Sequence, residues 1–561
     1  MVSDGDLRDS SLGRVDELSQ GTRTTLTPIR PTSERWAAIA FGLYIAASWV
    51  FILRGPGAER WFFVDEWAFL AERDPGDLAS WLAPHGGHWV TIPYAIYRGL
   101  FAAFGLTSYV PYLVANLVAH TMVVILLRSI MRRSGVAPWT ATIVASVLML
   151  FGPGSDGILS AFQIAFTAAV AFGLGSLVAA DFSGRSWRRD IPAVALGVAA
   201  VMCSAIGLVL VIAVALFVAV RRGWWAALAY GAVPVGVFLV WWIAEGAGGT
   251  GIPVRSSLWE WLVAAMLSAT VALAGAPVLA VALVMVVIAG IATALATRST
   301  ALRTDWAAPL SLAAGWLLLV LTLWWTRSWQ GPEGIAVPRY TYVSGALLLP
   351  LTASALNELA GRWRAALALL VLPLTATALN ASDMGNKPPF NTGQVAADRD
   401  LMVAIGNSPQ IQDLPAELKP IPGWGNVAIT LGWLRAVAGD GKLPAAPLRE
   451  VSPEQVRLSV GLLQVKDSAP RPPLCRSAQT VRLAPRPGDR FWFDTPTRTT
   501  AMIDLTSVVV SSVDGAGQVL AQRAFLRSEG SWLEALTPGF RLTVTSPGGA
   551  PVTVCRTGAG P

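Results

Sequence analysis

From Trp36 to about Ala381 the chain is a succession of apolar runs of membrane-crossing length separated by short arginine-bearing stretches; beyond Asp383 polar and apolar residues mix as in water-soluble protein. The runs at 36–54, 108–130, 138–151, 158–180, 224–243, 276–296, 306–325, 340–356 and 365–379 each read as one span. The run 191–220 is long enough for one tilted helix. A single crossing, however, would place Arg188 and Arg189 opposite Arg221 and Arg222, whereas a tight hairpin breaking near Ser204-Ala205-Ile206-Gly207 keeps both pairs on one side. Each arm then has about 14 residues, or roughly 21 Å of helix, short of a hydrocarbon core of roughly 30 Å, and needs protein neighbours or a thinned bilayer. The total is about eleven spans. The stretch 258–275 suits an interfacial helix as well as a span, because Trp259, Glu260 and Trp261 open it; as a span it would invert the tail.

Arginine placement orients these runs. Arg128, Arg132, Arg133, Arg185, Arg188, Arg189, Arg298, Arg303, Arg362 and Arg364 fall in loops that the positive-inside rule assigns to the cytoplasm, which puts the amino terminus inside and the tail outside a plasma membrane. Residues 1–35, polar and of mixed charge, read as a disordered cytoplasmic leader, and 36–381 as the membrane core with its first outer loop at 55–107. Residues 382–465 read as a mixed extracytoplasmic region with a helical pattern near 427–437. Residues 466–561 read as β-rich, with strands at 481–483, 490–493, 506–511 and 540–545 between Gly and Pro punctuation. The expected fold is therefore a polytopic α-helical membrane protein with a C-terminal extracytoplasmic domain containing a small β-sandwich. Cys203 lies in an apolar run, whereas Cys475 and Cys555 bracket the last stretch and are placed to close it by one disulfide in an oxidising compartment.

Composition agrees with this reading. Hydrophobic residues make up 54% against 14% charged, and the mean hydropathy of +0.53 excludes an ordinary water-soluble domain. A net charge of +7 raises the question of nucleic acid, but the arginines sit between apolar runs rather than on one soluble face, so membrane lipid is the expected partner and nucleic acid is not.

The chemistry-bearing residues concentrate in the first outer loop. Phe62-Phe63-Val64-Asp65-Glu66-Trp67 sets a carboxylate pair among aromatics about ten residues past the first span, where apolar surroundings raise a carboxyl toward useful base strength. Adjacent residues point in different directions on a helix or a strand, so Asp65 and Glu66 cannot do identical work; one is expected to face a cavity and the other to support it. Pro84-His85-Gly86-Gly87-His88-Trp89 adds two imidazoles able to shuttle a proton, bind an anion or ligate metal, although two histidines alone are a weak metal signal. His120 lies deep in the second span and ranks below His88, because a buried histidine is as readily a structural hydrogen-bonder. Gln163, just inside the outer end of the fourth span, can hold a sugar hydroxyl or join two helices, the second being the commoner case. Val337-Pro338-Arg339-Tyr340-Thr341-Tyr342 puts a fixed cation and two phenols at the outer interface, suited equally to a lipid-linked phosphate and to interfacial anchoring.

Asp65-Glu66-Trp67, His88-Trp89, Pro111-Tyr112, Phe162-Gln163, Ser204 with Gly207, and Arg339-Tyr340 together resemble the GT-C superfamily of polyprenyl-phosphate-sugar-dependent glycosyltransferases, over about residues 36–380, and more closely actinobacterial membrane proteins of that general type. The resemblance is one of pattern and has no single diagnostic motif. It implies a polyprenyl-phosphate-linked sugar donor, an extracytoplasmic glycan or lipid acceptor, and an inverting displacement. In it Asp65 is the general base, Glu66 its partner, Arg339 with Tyr340 the donor-phosphate contact, and Trp67, His85, His88, His120 and Gln163 are substrate-side residues. No cofactor follows with certainty, and dependence on a divalent metal ion stays open, because the outer loops show no second acidic cluster.

Two rival classes share the outward tail. A transporter of an envelope precursor would explain many spans and a helix break near 204–207, but transporters place ionisable groups within their spans, where this sequence has only His120 at depth. A noncatalytic envelope scaffold with a glycan- or partner-binding tail is the other.

Overall fold

The computed structural model describes residues 31–182, 187–246, 256–297, 305–386, 392–412, 416, 420, 429–452, 456 and nine strands between 464 and 556. Among these residues eight helices are long and apolar enough to cross a membrane, or nine if one bent pair forms a single span.

The first long helix, α1 (Pro31–Arg54), feeds a segment bearing the short helices α2 (Asp65–Trp67), α3 (Leu78–Leu82) and α4 (Thr91–Phe104). Next come α5 (Val110–Arg133) and the pair α6 (Pro138–Met149) and α7 (Ser155–Leu159), bent by 45° around Gly152-Pro153-Gly154. Then α8 (Ile164–Phe182) precedes α9 (Trp187–Val201) and α10 (Ile206–Arg222), which flank the expected break. The remaining bundle is α11 (Trp224–Trp241), α12 (Leu258–Ala274), α13 (Pro277–Thr297), α14 (Ala307–Arg327), α15 (Pro338–Arg362) and α16 (Val371–Asn386). Near the break, a Cβ on Gly207 would overlap the Ala200 carbonyl, so only glycine lets the two short helices approach this closely.

The span count is lower than the expected eleven for a physical reason. The run 138–151 holds a helix of only 12 residues before the Gly-Pro-Gly bend, and the arms of 191–220 are helices of 15 and 17 residues. Protein covers one face of the two arms: α10 packs on α8, α9 and α14, and α9 on α8; Val209, Leu210, Val211, Ala213 and Val214 of α10 are buried, while Leu216 and Val220 are exposed. Helix α12 has 17 residues and starts at a capping box in which the Ser257 hydroxyl accepts from Glu260 N while the Glu260 carboxylate accepts from Ser257 N. Its two tryptophans divide: Trp261 is buried and donates to the Val320 carbonyl at 3.0 Å, while Trp259 is exposed.

Charge separates the two ends of the bundle. Arg128 and Arg132, in the last turns of α5, bind Glu34 of α1 at 2.9 and 2.8 Å. Asp181 at the end of α8 lies 3.2 Å from Arg133 and 3.3 Å from Arg221, and Asp190 pairs with Arg222 at 2.8 Å. The start of α5, about 35 Å away at 1.5 Å per residue, adjoins the 55–109 segment instead. The expected functional residues of that segment therefore stand at the end opposite this arginine-rich one.

The tail begins as part of the same core. Helices α17 (Thr392–Gly406) and α18 (Leu431–Gly439) bury Met402, Val403, Leu431 and Leu434 in one hydrophobic cluster with the bundle. Trp433 sits between Trp67 (6.3 Å, edge-on) and Phe101 (6.2 Å, stacked), and Leu106 N donates to the Lys442 carbonyl at 2.6 Å. Gly105 makes that junction possible: its φ is +55°, and an added Cβ would lie 2.5 Å from Lys442 atoms. Further on are β1 (Gln464–Asp467), β2 (Gln479–Leu483), β3 (Arg490–Asp494), β4 (Ala501–Asp504), β5 (Val508–Val513), β6 (Val519–Phe525), β7 (Ser531–Glu534), β8 (Arg541–Thr545) and β9 (Val552–Arg556). They pair antiparallel in two sheets, of order β1-β7-β4-β9-β2 and β3-β8-β5-β6. Side chains on these strands lie outside the described residues, and so does the packing expected of a sandwich. The same holds for Cys475, hence for the disulfide expected with Cys555, and for positions 1–30 of the expected leader.

Candidate active site

The turn that presents the carboxylate pair is strained. Among the described residues Val64 is the one non-glycine with positive φ (φ 45°, ψ −99°), a conformation that a β-branched residue adopts only when its surroundings enforce it. The enforcing contacts come from Glu66, which is buried. Its Oε2 accepts from Phe63 N at 2.7 Å, and its Oε1 accepts from the Tyr97 hydroxyl at 2.6 Å and the Tyr109 hydroxyl at 3.0 Å. Tyr109 in turn accepts from Ala161 N at 2.8 Å, so one carboxylate ties the 61–67 turn to the 160–163 turn. Burial pushes the Glu66 carboxyl up to about 7, with Asp65 adding to the rise and the three donors opposing it. The elevated carboxyl anticipated from the aromatic flanks is thus Glu66. Asp65 is half exposed, at 52%.

His85 and His88 are held by a two-residue hairpin. Their backbones exchange hydrogen bonds of 3.0 and 2.9 Å, and Gly86 and Gly87 both take positive φ (55° and 81°), which is why the turn needs two glycines. His85 Nε2 lies 3.3 Å from Asp65 Oδ1. His88 Nδ1 accepts from Ala205 N at 3.3 Å and lies 3.5 Å from Ser204 Oγ, joining the hairpin to the α9–α10 break. Burial, followed by the charges of Arg327, Arg339 and His85, pulls His88 down to about 4, so it is a neutral base at physiological pH.

Asp65 and Arg339 line one cavity of about 380 Å³, together with Arg60, Glu66, Asp156, Phe162 and Gln163. Asp65 arrives on the strained turn and Asp156 on α7 just past the Gly-Pro-Gly bend. Arg339 is in the first turn of α15, its guanidinium 5.1 Å over the Tyr340 ring and without a hydrogen bond or ion pair among the described residues. Gln163 Oε1 is buried without a hydrogen-bond partner among the described residues, the state of a group that awaits a donor. Arg60 donates to the Pro56 carbonyl at 3.1 Å; burial pulls its guanidinium down, opposed by Tyr109, Asp156 and Glu66. A ligand here meets cations and carboxylates with water partly excluded, a setting in which each charge acts more strongly than in bulk solvent.

Other expected site residues lie elsewhere. Trp67 is buried against Phe62 and Trp433. His120 is fully buried, its ring nitrogens 2.9 Å from the Tyr342 hydroxyl and 3.2 Å from the Met149 carbonyl, where it joins α5, α6 and α15. Tyr340 packs on Phe166 behind the cavity wall. Sequence reasoning missed Arg60 and Asp156. A signal for Asp156 was present in Gly152-Pro153-Gly154-Ser155-Asp156-Gly157, where the glycines that end a span also present the acid two residues later; Arg60 carries no such local signal. No cluster of three or more His, Cys, Asp or Glu able to hold a metal ion occurs among the described residues.

No protein-family model matches the chain, and no curated protein does. Among solved structures the chain is similar to the crystal structure of ArnT from Cupriavidus metallidurans bound to undecaprenyl phosphate, at 15% identity over 74% of this chain and 86% of that one, with a TM-score of 0.42. At that depth of superposition no inference is carried across, and the functional reading rests on the residues themselves.

Proposed function

We propose that this chain is an integral-membrane glycosyltransferase that moves a sugar from a polyprenyl-phosphate donor to an acceptor hydroxyl on the extracytoplasmic side. The observation that carries the reading is the shared cavity of Asp65 and Arg339, far apart in sequence, at the end of the bundle opposite the paired arginines. With those arginines on the cytoplasmic face, the cavity opens outward.

Inverting transfer at an anomeric carbon needs a base on the acceptor side and charge stabilisation for the departing phosphate. Asp65, exposed to the cavity and 3.3 Å from His85, takes the acceptor proton, and His85 orients its carboxylate. Arg339, uncommitted within the described residues, receives the phosphate, a role for which a guanidinium has matching geometry. Glu66 is excluded from the base role because Phe63 N, Tyr97 and Tyr109 already occupy its oxygens; it positions the turn. Asp156 and Gln163 line the same cavity and are assigned to the sugar.

Asp65→Asn should lower sugar transfer in reconstituted membranes by about 10²–10⁴-fold with folding intact, the usual contribution of a general base. Arg339→Ala should raise the KM for donor by about 10- to 100-fold, as expected for one charge-assisted contact of about 1.5–3 kcal/mol, and leave the acceptor KM in place. Full transfer by the Asp65 variant removes the base assignment.

A further inference from the structure

We infer that a second cavity, beside the first, binds an anionic saccharide. It measures about 350 Å³ and lies between residues 57–61 and 107–110 on one side and Ala396, Arg399, Asp400, Leu448 and Arg449 on the other. It shares Glu59, Arg60, Trp61 and Tyr109 with the Asp65 cavity, so a ligand in one reaches the wall of the other. Cavities of this size suit small ligands.

The charge on its walls does not cancel. Asp400 is spent internally: it is buried and accepts from Leu448 N at 2.8 Å and Arg399 at 3.0 Å, which fixes the 448–449 segment as a wall. Glu59 is exposed, as is Arg449; against the two carboxylates stand three guanidiniums, Arg60, Arg399 and Arg449, a surplus of one. That leaves Arg60, bonded only to a carbonyl, and Arg449, which has no hydrogen bond or ion pair among the described residues. The sugar-binding character comes from Trp61. Its indole is buried, Arg399 lies 4.7 Å over the ring, and its N–H has no hydrogen-bond partner among the described residues. An acid-bearing sugar satisfies an unpaired guanidinium and an orphaned N–H together, which a neutral sugar or a bare anion does only in part. The transferase reading adds that this saccharide is the acceptor; binding itself does not depend on that reading.

The test is calorimetric titration of the full chain in neutral-lipid nanodiscs with D-glucuronate and with D-glucose, alongside Arg449→Ala and Trp61→Phe. Glucuronate should bind at least about tenfold more tightly than glucose, and Arg449→Ala should weaken it about tenfold, one charge-assisted contact. Trp61→Phe should weaken both sugars. Equal affinities, or an unchanged Arg449→Ala, overturns the inference. Loss of glucuronate binding when phosphatidylglycerol is added to the disc also overturns it, since a lipid head group would then own the site. Sugar transfer from a polyprenyl-phosphate donor by the same wild-type preparation separates the two ideas. Glucuronate preference without donor turnover supports this cavity and sinks the transferase; turnover without glucuronate preference sinks this inference alone.

Discussion

Glu66→Gln should make the protein more stable above neutral pH. A glutamine presents an NH2 group that donates and a carbonyl oxygen that accepts, in place of a carboxylate, and so mimics the protonated acid that burial favours at this position. The Glu66 carboxyl titrates near about 7 in the folded chain against 4.5 for the free side chain. Folding therefore takes up a proton between those values, and the Glu66 contribution is full below 4.5 and lost as pH rises through about 7. At about 1.4 kcal/mol per pH unit, that interval amounts to about 3 kcal/mol. His88 acts in the opposite sense over an overlapping window, so the wild-type profile alone is uninformative. The quantity to measure is the difference between variant and wild type, by thermal unfolding in one detergent from pH 4.5 to 8.5. Wild type and Glu66→Gln should coincide at the acid end, with the variant gaining steadily to a plateau above pH 7 to 8. Glu66→Ala should be worse at every pH, because Phe63 N and two tyrosine hydroxyls lose their acceptor. A pH-independent difference, or one that favours wild type at high pH, would refute the reasoning. A gain would also mean that the charge is kept at a cost in stability, as expected when a group serves a site.

Val64→Gly should retain or raise stability, since relief of a strained β-branched φ, about 1–3 kcal/mol, outweighs the added freedom of glycine in the unfolded chain, about 0.5–1 kcal/mol; transfer activity should nonetheless fall as the Asp65 turn loosens, read by kinetics beside a melting curve. Gly105→Ala should release the 440–449 segment from the loop, detected as faster proteolysis or deuterium exchange there, because the new Cβ meets Lys442. His88→Asn should gain stability relative to wild type as pH falls from 6.5 toward 4, the interval over which a histidine held neutral by the fold takes up its proton on unfolding; the variant-minus-wild-type melting difference reads it.

Much of the bundle was legible because lipid imposes length and charge rules that a sequence displays directly. The break at 204–207 followed from two arginine pairs that one crossing would have separated, and helices end and begin at Val201 and Ile206. What failed was the count, since apolar content marks a short helix and a full-length span alike; α9 and α10, of 15 and 17 residues, differ from the spans in length. Four strands of the tail were visible by alternation near 481, 490, 508 and 541, whereas four-residue strands such as Gln464–Asp467 and Ala501–Asp504 have too few residues to show a period.

At the site, adjacency in sequence predicted that Asp65 and Glu66 would diverge, but not which would be buried. The decision lies with Tyr97 and Tyr109, whose hydroxyls converge from α4 and from the start of α5, a long-range fact that no local pattern contains. Those hydroxyls fix Glu66, Glu66 enforces the strained Val64, and the turn brings Asp65 to a cavity that Arg339 also lines. On the transferase proposal, the carboxyl with the perturbed titration builds the site, and its exposed neighbour is assigned the reaction. A screen for perturbed carboxyls alone would select Glu66 instead, and the kinetics of Asp65→Asn set against the stability of Glu66→Gln decide between the two assignments.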